Sequence, residues 1–413
     1  MDDSSVMPAS GDGSNAERGR ASELPASVEL LVVGAGPVGL FTALRAARQG
    51  LSVGVIDEGL PREERGHATL LHARTLRLLA ELDLADGLKR CGQLLSSVSL
   101  SLDGKQTSTL ALTEPVLAVP QRELEFALHD ALSREGVALH YLHRATTIRN
   151  GGDRAEVSVM RVPAWPPDAS SDQPPDVDCS LVAAEFVVGA DGHASQVRAA
   201  LGIEAVRLEG IETYSIFELE DDRPPRDVLD LVFHGELGSS RIPLANGRVR
   251  LSFQILSGLS EPADGARLAE LVSSRMAFAA PPPRAIDFGT VTHFDRRLAR
   301  VFGRGRVWLA GDAAHVTSPL GAQSLNLGLA EAAGLVQRIA DRAQGRARLD
   351  NLALFAQQQQ REWQKLLGVN VLFSLLPGAP GWVPNLARRL VPALPLSGAE
   401  LDRALRSLGI ALY

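Results

Sequence analysis

Between residues 28 and 57 the chain alternates apolar runs with a glycine-bearing turn, and few folds accommodate that order. Val28, Leu30, Leu31, Val32 and Val33 read as a buried strand, and Val33-Gly34-Ala35-Gly36-Pro37-Val38-Gly39 follows. Leu40, Ala43, Leu44 and Ala47 then recur at helical spacing, and Val53, Val55 and Ile56 form a second strand. Strand, tight turn, helix and strand make a βαβ unit. Gly34 permits the turn, Gly36 lets the backbone approach a phosphate, and Gly39 lets helix and strand pack closely. The free N–H groups at the helix start face an anion, so a pyrophosphate suits this turn. Asp57 ends the second strand about 20 residues on, where a carboxylate accepts from ribose hydroxyls.

Composition narrows the class. The chain has 413 residues, 45% hydrophobic and 22% charged, enough to bury a substantial core in two interleaved domains. A net charge of -7 implies no broad basic surface, so no nucleic-acid partner is expected. Cys91 and Cys179 stand far apart without metal or redox spacing, which reads as free thiols in a reducing cytoplasm, with no metal bound. Residues 1–25 are rich in Ser, Gly, Asp and Ala without the apolar run of a signal peptide, and read as a disordered tail. No stretch reaches the roughly 18 uninterrupted apolar residues of a membrane span.

Further along, 75–88 carries Leu76, Leu78, Leu79, Leu82 and Leu84 at helical spacing, and 94–112 alternates as a hairpin with Asp103-Gly104 at its turn. Pro120 opens a helix whose Leu124, Phe126, Ala127, Leu128 and Leu132 are expected to face inward. Strands are predicted over 137–148 and 181–188, with a Pro-, Ser- and Asp-rich loop over 163–177 between them. The latter strand runs into Gly189-Ala190-Asp191-Gly192. From 206 to 293 the pattern becomes short strands, including 228–233, 239–243 and 249–255, with a hairpin signal at Asn246-Gly247. This block predicts a mostly antiparallel sheet inserted into the nucleotide domain. After a strand at 306–309, Leu309-Ala310-Gly311-Asp312-Ala313-Ala314-His315 returns the chain to the nucleotide, and a long helix is predicted over 324–340. A cofactor held from both ends of the chain is a flavin arrangement more than a nicotinamide one.

Segments 34–39, 189–198 and 311–326 stand in an order and context that resembles the class A flavoprotein monooxygenases of the para-hydroxybenzoate hydroxylase type, over roughly residues 28–340. Val188-Gly189-Ala190-Asp191-Gly192-His193-Ala194-Ser195-Gln196-Val197-Arg198 is similar to the family's second motif, and Gly311-Asp312 through Pro319, Gly321, Gln323 and Asn326 to its third. The resemblance implies an α/β protein: a Rossmann-like FAD-binding domain (26–94, 119–205 and 290–350), an inserted, mostly antiparallel β-sheet substrate domain (95–118 and 206–289) and a helical C-terminus (351–413). Some relatives end in a thioredoxin-like domain; the chain stops at Tyr413, too soon for one.

The same resemblance assigns roles. Gly34, Gly36, Pro37, Val38 and Gly39 belong at the FAD pyrophosphate, Asp57 at the adenosine ribose, and Gln121 and Arg122 at the phosphates or ribityl chain. Gly311 and Asp312 belong at the ribityl chain, and Asp191 in shaping the site and in NAD(P)H use. Pro319, Gly321, Ala322, Gln323 and Ser324 belong along the flavin ring, with Asn326 orienting this loop or touching the ring. Where the family has an arginine after the second strand, His67 stands, and Arg65 is the substitute. The family's Gly-Gly-Gln-Gly run reads Gly321-Ala322-Gln323-Ser324, so Ala322 and Ser324 are expected to take ordinary backbone angles. His315 is assigned to packing and hydrogen bonding.

The implied reaction is monooxygenation: NAD(P)H reduces FAD, dioxygen adds at C4a, and the hydroperoxide hydroxylates or epoxidises a hydrophobic aromatic, quinone or polyketide-like molecule. The flavin carries the chemistry, with the Pro319 loop near its ring and no side-chain nucleophile. Tyr214, Phe217, Phe233 and His234 are candidates to face the substrate, or plain core and surface residues. The apolar stretch 366–395 reads as a helix pair covering the core, or as a hydrophobic entrance or peripheral membrane contact. The rival functions are a flavin-dependent halogenase, whose Trp-x-Trp-x-Ile-Pro signature is absent, and a flavin protein acting without oxygen transfer, as a cyclase or scaffold.

Overall fold

The computed structural model describes residues 23–60, 68–162, 178–224, 226–256, 262–277, 285–367, 373–376, 381 and 383–412. β1 (Ser27–Val33), α1 (Pro37–Arg48) and β2 (Val53–Asp57) form the βαβ unit, with β1 and β2 parallel. β3 (Ala68–Leu71), α2 (Ala73–Ala80) and α3 (Ala85–Cys91) follow. The single helix predicted over 75–88 is two, because Asp83 takes a left-handed φ of 56° between them, which a short polar side chain tolerates. β4 (Gln93–Leu102) and β5 (Lys105–Pro120) are the predicted hairpin, with Asp103 and Gly104 both at positive φ.

α4 (Gln121–Arg134) begins directly after Pro120. Leu124, Leu128, Ala131 and Leu132 are buried, but Phe126, expected to face inward, is 72% exposed. At 3.6 residues per turn Phe126 lies about 200° round the helix from Leu124.

β6 (Leu139–Tyr141) and β7 (His143–Asn150) replace the one strand predicted over 137–148, because Leu142 between them turns to a φ of 59°. β8 (Ala155–Arg161), β9 (Cys179–Gly189) and α5 (Gln196–Ala200) follow; the loop predicted over 163–177 lies outside the described residues. Next come β10 (Ala205–Glu220), β11 (Val228–His234), β12 (Leu237–Leu244), β13 (Arg248–Ile255), α6 (Gly265–Leu271) and β14 (Ile286–Ala299). β10 and β14 span 16 and 14 residues, so the block is not built of short strands throughout. The chain closes with β15 (Gly303–Arg304), β16 (Val307–Leu309), β17 (His315–Val316), α7 (Gln323–Ala343), α8 (Asp350–Leu366), β18 (Phe373–Leu375), α9 (Val383–Ala393), α10 (Gly398–Ser407) and β19 (Ile410–Leu412).

Two large sheets result. The first runs β15-β16-β9-β1-β2-β6, with β8 and β7 attached beside β9; β16, β9, β1, β2 and β6 are parallel. The second runs β17-β14-β10-β13-β12-β11-β4-β5-β3 and is antiparallel except where β11 pairs parallel with β4. It draws in residues 68–71 and 315–316, beyond the two segments expected to form it. One apolar cluster joins the sheets, from Leu31 and Ile56 to Val98 and Ile216, and takes in Leu390 and Leu394. A second packs α1, α4 and α7 on the first sheet through Leu40, Leu44, Leu128 and Val336. A third lies on the far face of the second sheet, where Phe217 and Phe253 meet Leu268 of α6.

The C-terminal part is helical with a small β18–β19 ladder. Within 366–395, Leu366, Leu367, Val383, Leu390, Val391 and Leu394 are buried, so their apolar surface is spent on the core. Among the described residues no helix is long and apolar enough to cross a membrane.

α7 and α8 are tied to β17 by a buried trio. His315 Nε2 meets Glu331 Oε2 at 2.6 Å, its ring stacks on Trp363 at 3.7 Å, and the Trp363 indole N–H donates to the other Glu331 oxygen. Removing the carboxylate strands two buried polar groups. Glu331→Ala is therefore expected to lower the unfolding free energy by about 3 kcal/mol, read as a lower urea midpoint at unchanged slope.

Candidate active site

The site begins where β1 ends. Gly34 turns at a φ of 108°, and a Cβ there would stand 2.3 Å from the Ala190 carbonyl oxygen at the end of β9. A Cβ on Gly39 would stand 1.9 Å from the carbonyl oxygen of Gly34, so α1 is pressed onto the turn that precedes it. Gly36 meets nothing within 4 Å on its open side. That side faces a cavity of about 1230 Å³ lying between the two sheets.

Of the residues singled out in the sequence, Gly34, Gly36, Pro37, Val38, Asp57, Gln121, Arg122, Asp191, Asp312, Pro319, Ala322 and Ser324 line this one cavity. Gly39, Gly311, Gly321, Gln323 and Asn326 stand behind its wall. Arg65 and His67 lie outside the described residues.

Three carboxylates are set differently. Asp57 accepts the N–H groups of Ala35 (2.6 Å) and Gly59 (2.7 Å), so it also braces the glycine turn. Asp191 accepts from Ser195 Oγ (2.5 Å) and the Val197 N–H (3.0 Å); burial pushes its pKa up and these bonds draw it back. Asp312 lines the cavity and is exposed. Desolvation by the surrounding protein pushes its pKa up, against the pull of His315 and His193, and no hydrogen bond from a described residue reaches its carboxylate.

The loop over 317–322 is fixed from several sides. Ala322 adopts a left-handed φ of 50°, contrary to the ordinary angles expected of it; Ala322 N–H donates to the Pro319 carbonyl (3.1 Å), and its own carbonyl accepts from Asn326 Nδ2 (2.8 Å). Asn326 also donates to the Leu70 carbonyl and accepts from the His72 N–H. His72 Nε2 lies 2.9 Å from the Gly321 carbonyl. A Cβ on Gly321 would come within 2.4 Å of the Pro392 carbonyl oxygen, and Gln323 donates to the carbonyls of Leu394 and Leu396. These contacts hold the α7 N-terminus toward the cavity, where its free N–H groups and dipole favour negative charge.

The second sheet supplies the opposite wall: Ile216, Ser240, Ile242, Arg250, Ser252 and Thr292. Arg250 Nη1 donates to Glu218 at 2.9 Å in a buried pair; burial lowers the guanidinium's pKa and Glu218 raises it again. None of the four substrate-facing candidates lines the cavity. Tyr214 reaches it through Ser318, with hydroxyl oxygens 3.0 Å apart. Phe217 points to the other side of the sheet, Phe233 is in the core, and His234 lies near Asp103. The wall residues carried a period-2 signal, but which side of each strand meets the cavity depends on the register with its neighbours. His72 gave no signal, because its partners lie about 250 residues away in sequence.

Residues 27–367 match the model of the FAD binding domain family. The chain belongs to that family, the class A FAD-dependent aromatic monooxygenases. It is 29% identical over 346 residues to 6-methylpretetramide 4-monooxygenase of Streptomyces rimosus, covering 80% of this chain and 59% of that protein. It is 28% identical over 363 residues to aklavinone 12-hydroxylase of Streptomyces purpurascens, covering 78% and 63%. The chain thus spans about three-fifths of the length of these two relatives. The fold matches p-nitrophenol 4-monooxygenase from Pseudomonas putida DLL-E4, with a TM-score of 0.72 at 19% identity over 93% and 94% of the two chains. FAD is the family's cofactor, and the open backbone at Gly36 and the unpartnered Asp312 carboxylate fit it.

Burial lowers the pKa of His72 from 6.5 to about 4, while its bond to Gly321 opposes the shift. The imidazole is neutral in the folded protein at pH 7. Between these values the unfolded chain binds a proton that the folded one does not, so stability is complete above pH 6.5 and falls as pH drops toward 4. The loss amounts to about 3 kcal/mol. His72→Asn is expected to flatten that part of the stability profile, measured as urea midpoints from pH 7 to pH 4.

Proposed function

We propose that this chain is an FAD-dependent monooxygenase that uses NAD(P)H and dioxygen to oxidise a hydrophobic aromatic, quinone or polyketide-like small molecule. The observation that carries this reading is one continuous cavity shared by the glycine turn, the α7 N-terminus and the wall of the second sheet. Its 1230 Å³ exceeds the roughly 300–1,000 Å³ of a single-ligand pocket, which supports room for a cofactor and a substrate together. The names of the two Streptomyces relatives support the polyketide-like class.

On this reading the first sheet with α1, α4 and α7 holds the cofactor, and the second sheet holds the substrate. The N–H groups of Gly36 and Val38 take the pyrophosphate, since Gly34 donates to Ile56, Ala35 donates to Asp57 and Pro37 has none. Asp57 shares its carboxylate with a ribose, Gln121 and Arg122 sit beside the phosphates or ribityl chain, and Asp312 accepts a ribityl hydroxyl. Asp191 shapes the site from the end of β9. Pro319, Ala322 and Ser324 border the ring. When bound, FAD would supply the redox and oxygen chemistry, with NAD(P)H as the electron donor. The protein's part is to bind, orient and keep water out. The α7 N–H groups stabilise negative charge at the ring. Ile216, Ile242 and Phe294 give the substrate an apolar wall, and Ser240, Ser252, Thr292 and the Arg250–Glu218 pair offer hydrogen bonds that fix its orientation. The two free cysteines support a cytoplasmic setting.

Purified protein is expected to be yellow and to show NAD(P)H oxidation stimulated by members of a panel of phenols, quinones and polyketide aromatics, with label from ¹⁸O₂ in the product. FAD bound tightly with no stimulation across the panel would instead mark a flavoprotein acting without oxygen transfer. A colourless protein that cannot be reconstituted would end the flavin reading. Asp312→Ala is expected to weaken FAD about tenfold through the lost hydrogen bond, measured by flavin fluorescence titration.

A further inference from the structure

α4 lays a stripe of side chains on the cavity. Gln121, Arg122, Glu125, Phe126 and His129 line it at the i, i+1, i+4, i+5 and i+8 spacing of one helical face, and Glu123 joins them beyond the edge of that face. The stripe extends about 12 Å at 1.5 Å per residue. The core uses a different face of the same helix, through Leu124, Leu128 and Ala131. Phe126 is thus an aromatic residue that the core does not use. It is the one aromatic among the exposed large hydrophobic side chains of the described residues, and Leu60, also exposed, lines the same cavity. An exposed ring at the mouth of a cavity is an apolar surface awaiting a ligand.

The surroundings say which part of a ligand arrives there. The β2–β6 register sets Asp57 opposite Tyr141. Tyr141 is held protonated, its pKa pushed up to about 12 by burial and by the nearby Asp57 and Glu125. Asp57 and Glu125 both act on Tyr141, and Phe126 follows Glu125 on α4, so the glycine turn, the Asp57 carboxylate and the Phe126 ring border one cavity near Tyr141. A pyrophosphate, a ribose and a base, linked covalently in sequence, need a phosphate cradle, a hydroxyl acceptor and a flat apolar face within one cavity, and these three are present.

We propose that the Phe126 ring is the stacking surface for the adenine of bound FAD, with Leu60 on the rim of the same slot. The assignment rests on the flavin reading of the cavity. Every base has a π face, so a planar ring suffices to hold it without hydrogen-bond readout.

Flavin fluorescence titrations of the deflavinated full-length chain test this with FAD, FMN and riboflavin, comparing the parent protein with Phe126→Ala and Phe126→Trp. Phe126→Ala is expected to raise the Kd for FAD about fivefold or more and to leave FMN and riboflavin, which lack adenine, unchanged. Phe126→Trp is expected to restore FAD affinity. An unchanged Kd for FAD in Phe126→Ala would overturn the assignment. So would a parallel loss for all three ligands, which marks damage to the fold. If the parent protein takes up no flavin at all, the flavin reading fails and takes this assignment with it, a result distinct from FAD binding that ignores Phe126.

Discussion

There is no room for a side chain on Gly39. A Cβ there would penetrate the Gly34 carbonyl, and one on Gly34 would penetrate the Ala190 carbonyl. These two close approaches set α1 hard against the ends of β1 and β9, and everything at the cavity follows from that seating. The first N–H groups of α1 face a space with no side chain in it, because Gly36 leaves it open. Asp57 then holds the turn by accepting the Ala35 N–H. Asp191, just past the Ala190 that presses on Gly34, braces α5 through Ser195 and Val197. A methyl group at either glycine displaces backbone, not a flexible side-chain tip, and would disturb all of these at once.

The ring-side loop is built by the opposite strategy. Ala322 occupies a left-handed backbone angle without the freedom of glycine, so its conformation has to be imposed. Asn326, His72 and the carbonyls near the end of α9 impose it, and all are buried. A neutral His72 is part of this arrangement, since its Nε2–H is what the Gly321 carbonyl receives. The His315–Glu331–Trp363 trio secures the same helix about two turns further on.

Much of this was legible in the sequence where structure is local. The βαβ unit, the Asp103-Gly104 and Asn246-Gly247 turns and the start of α4 after Pro120 follow from neighbouring residues, and the structure has them. Leu142 and Asp83 break elements that periodicity alone runs together, because one left-handed residue is invisible to an apolar pattern. Tyr214 and Phe217 attracted attention as aromatics, while Ile216 between them meets the cavity. Strand parity puts Phe217 on the far face while Tyr214 shares the face of Ile216, and parity is settled by β10 pairing with β13 and β14, tens of residues away. Gly321 and Gln323 carry a family motif, yet here they face the end of α9, a contact that no local pattern announces.

The parallel pairing of β4 with β11 joins residues 97–102 to residues 228–233, and the ring-side loop closes only on residues 392–396. Contacts this remote in sequence form late, after the loops between them have paid their closure entropy. During synthesis the glycine turn emerges first and can assemble with its own two strands, whereas the far wall of the cavity waits for residue 316 and the ring-side loop for residues 392–396. The two halves of the pocket therefore mature at different times. A nascent chain would hold the phosphate cradle long before it has the surface that encloses a ring, and full capture of the nucleotide waits until residues 392–396 have been made.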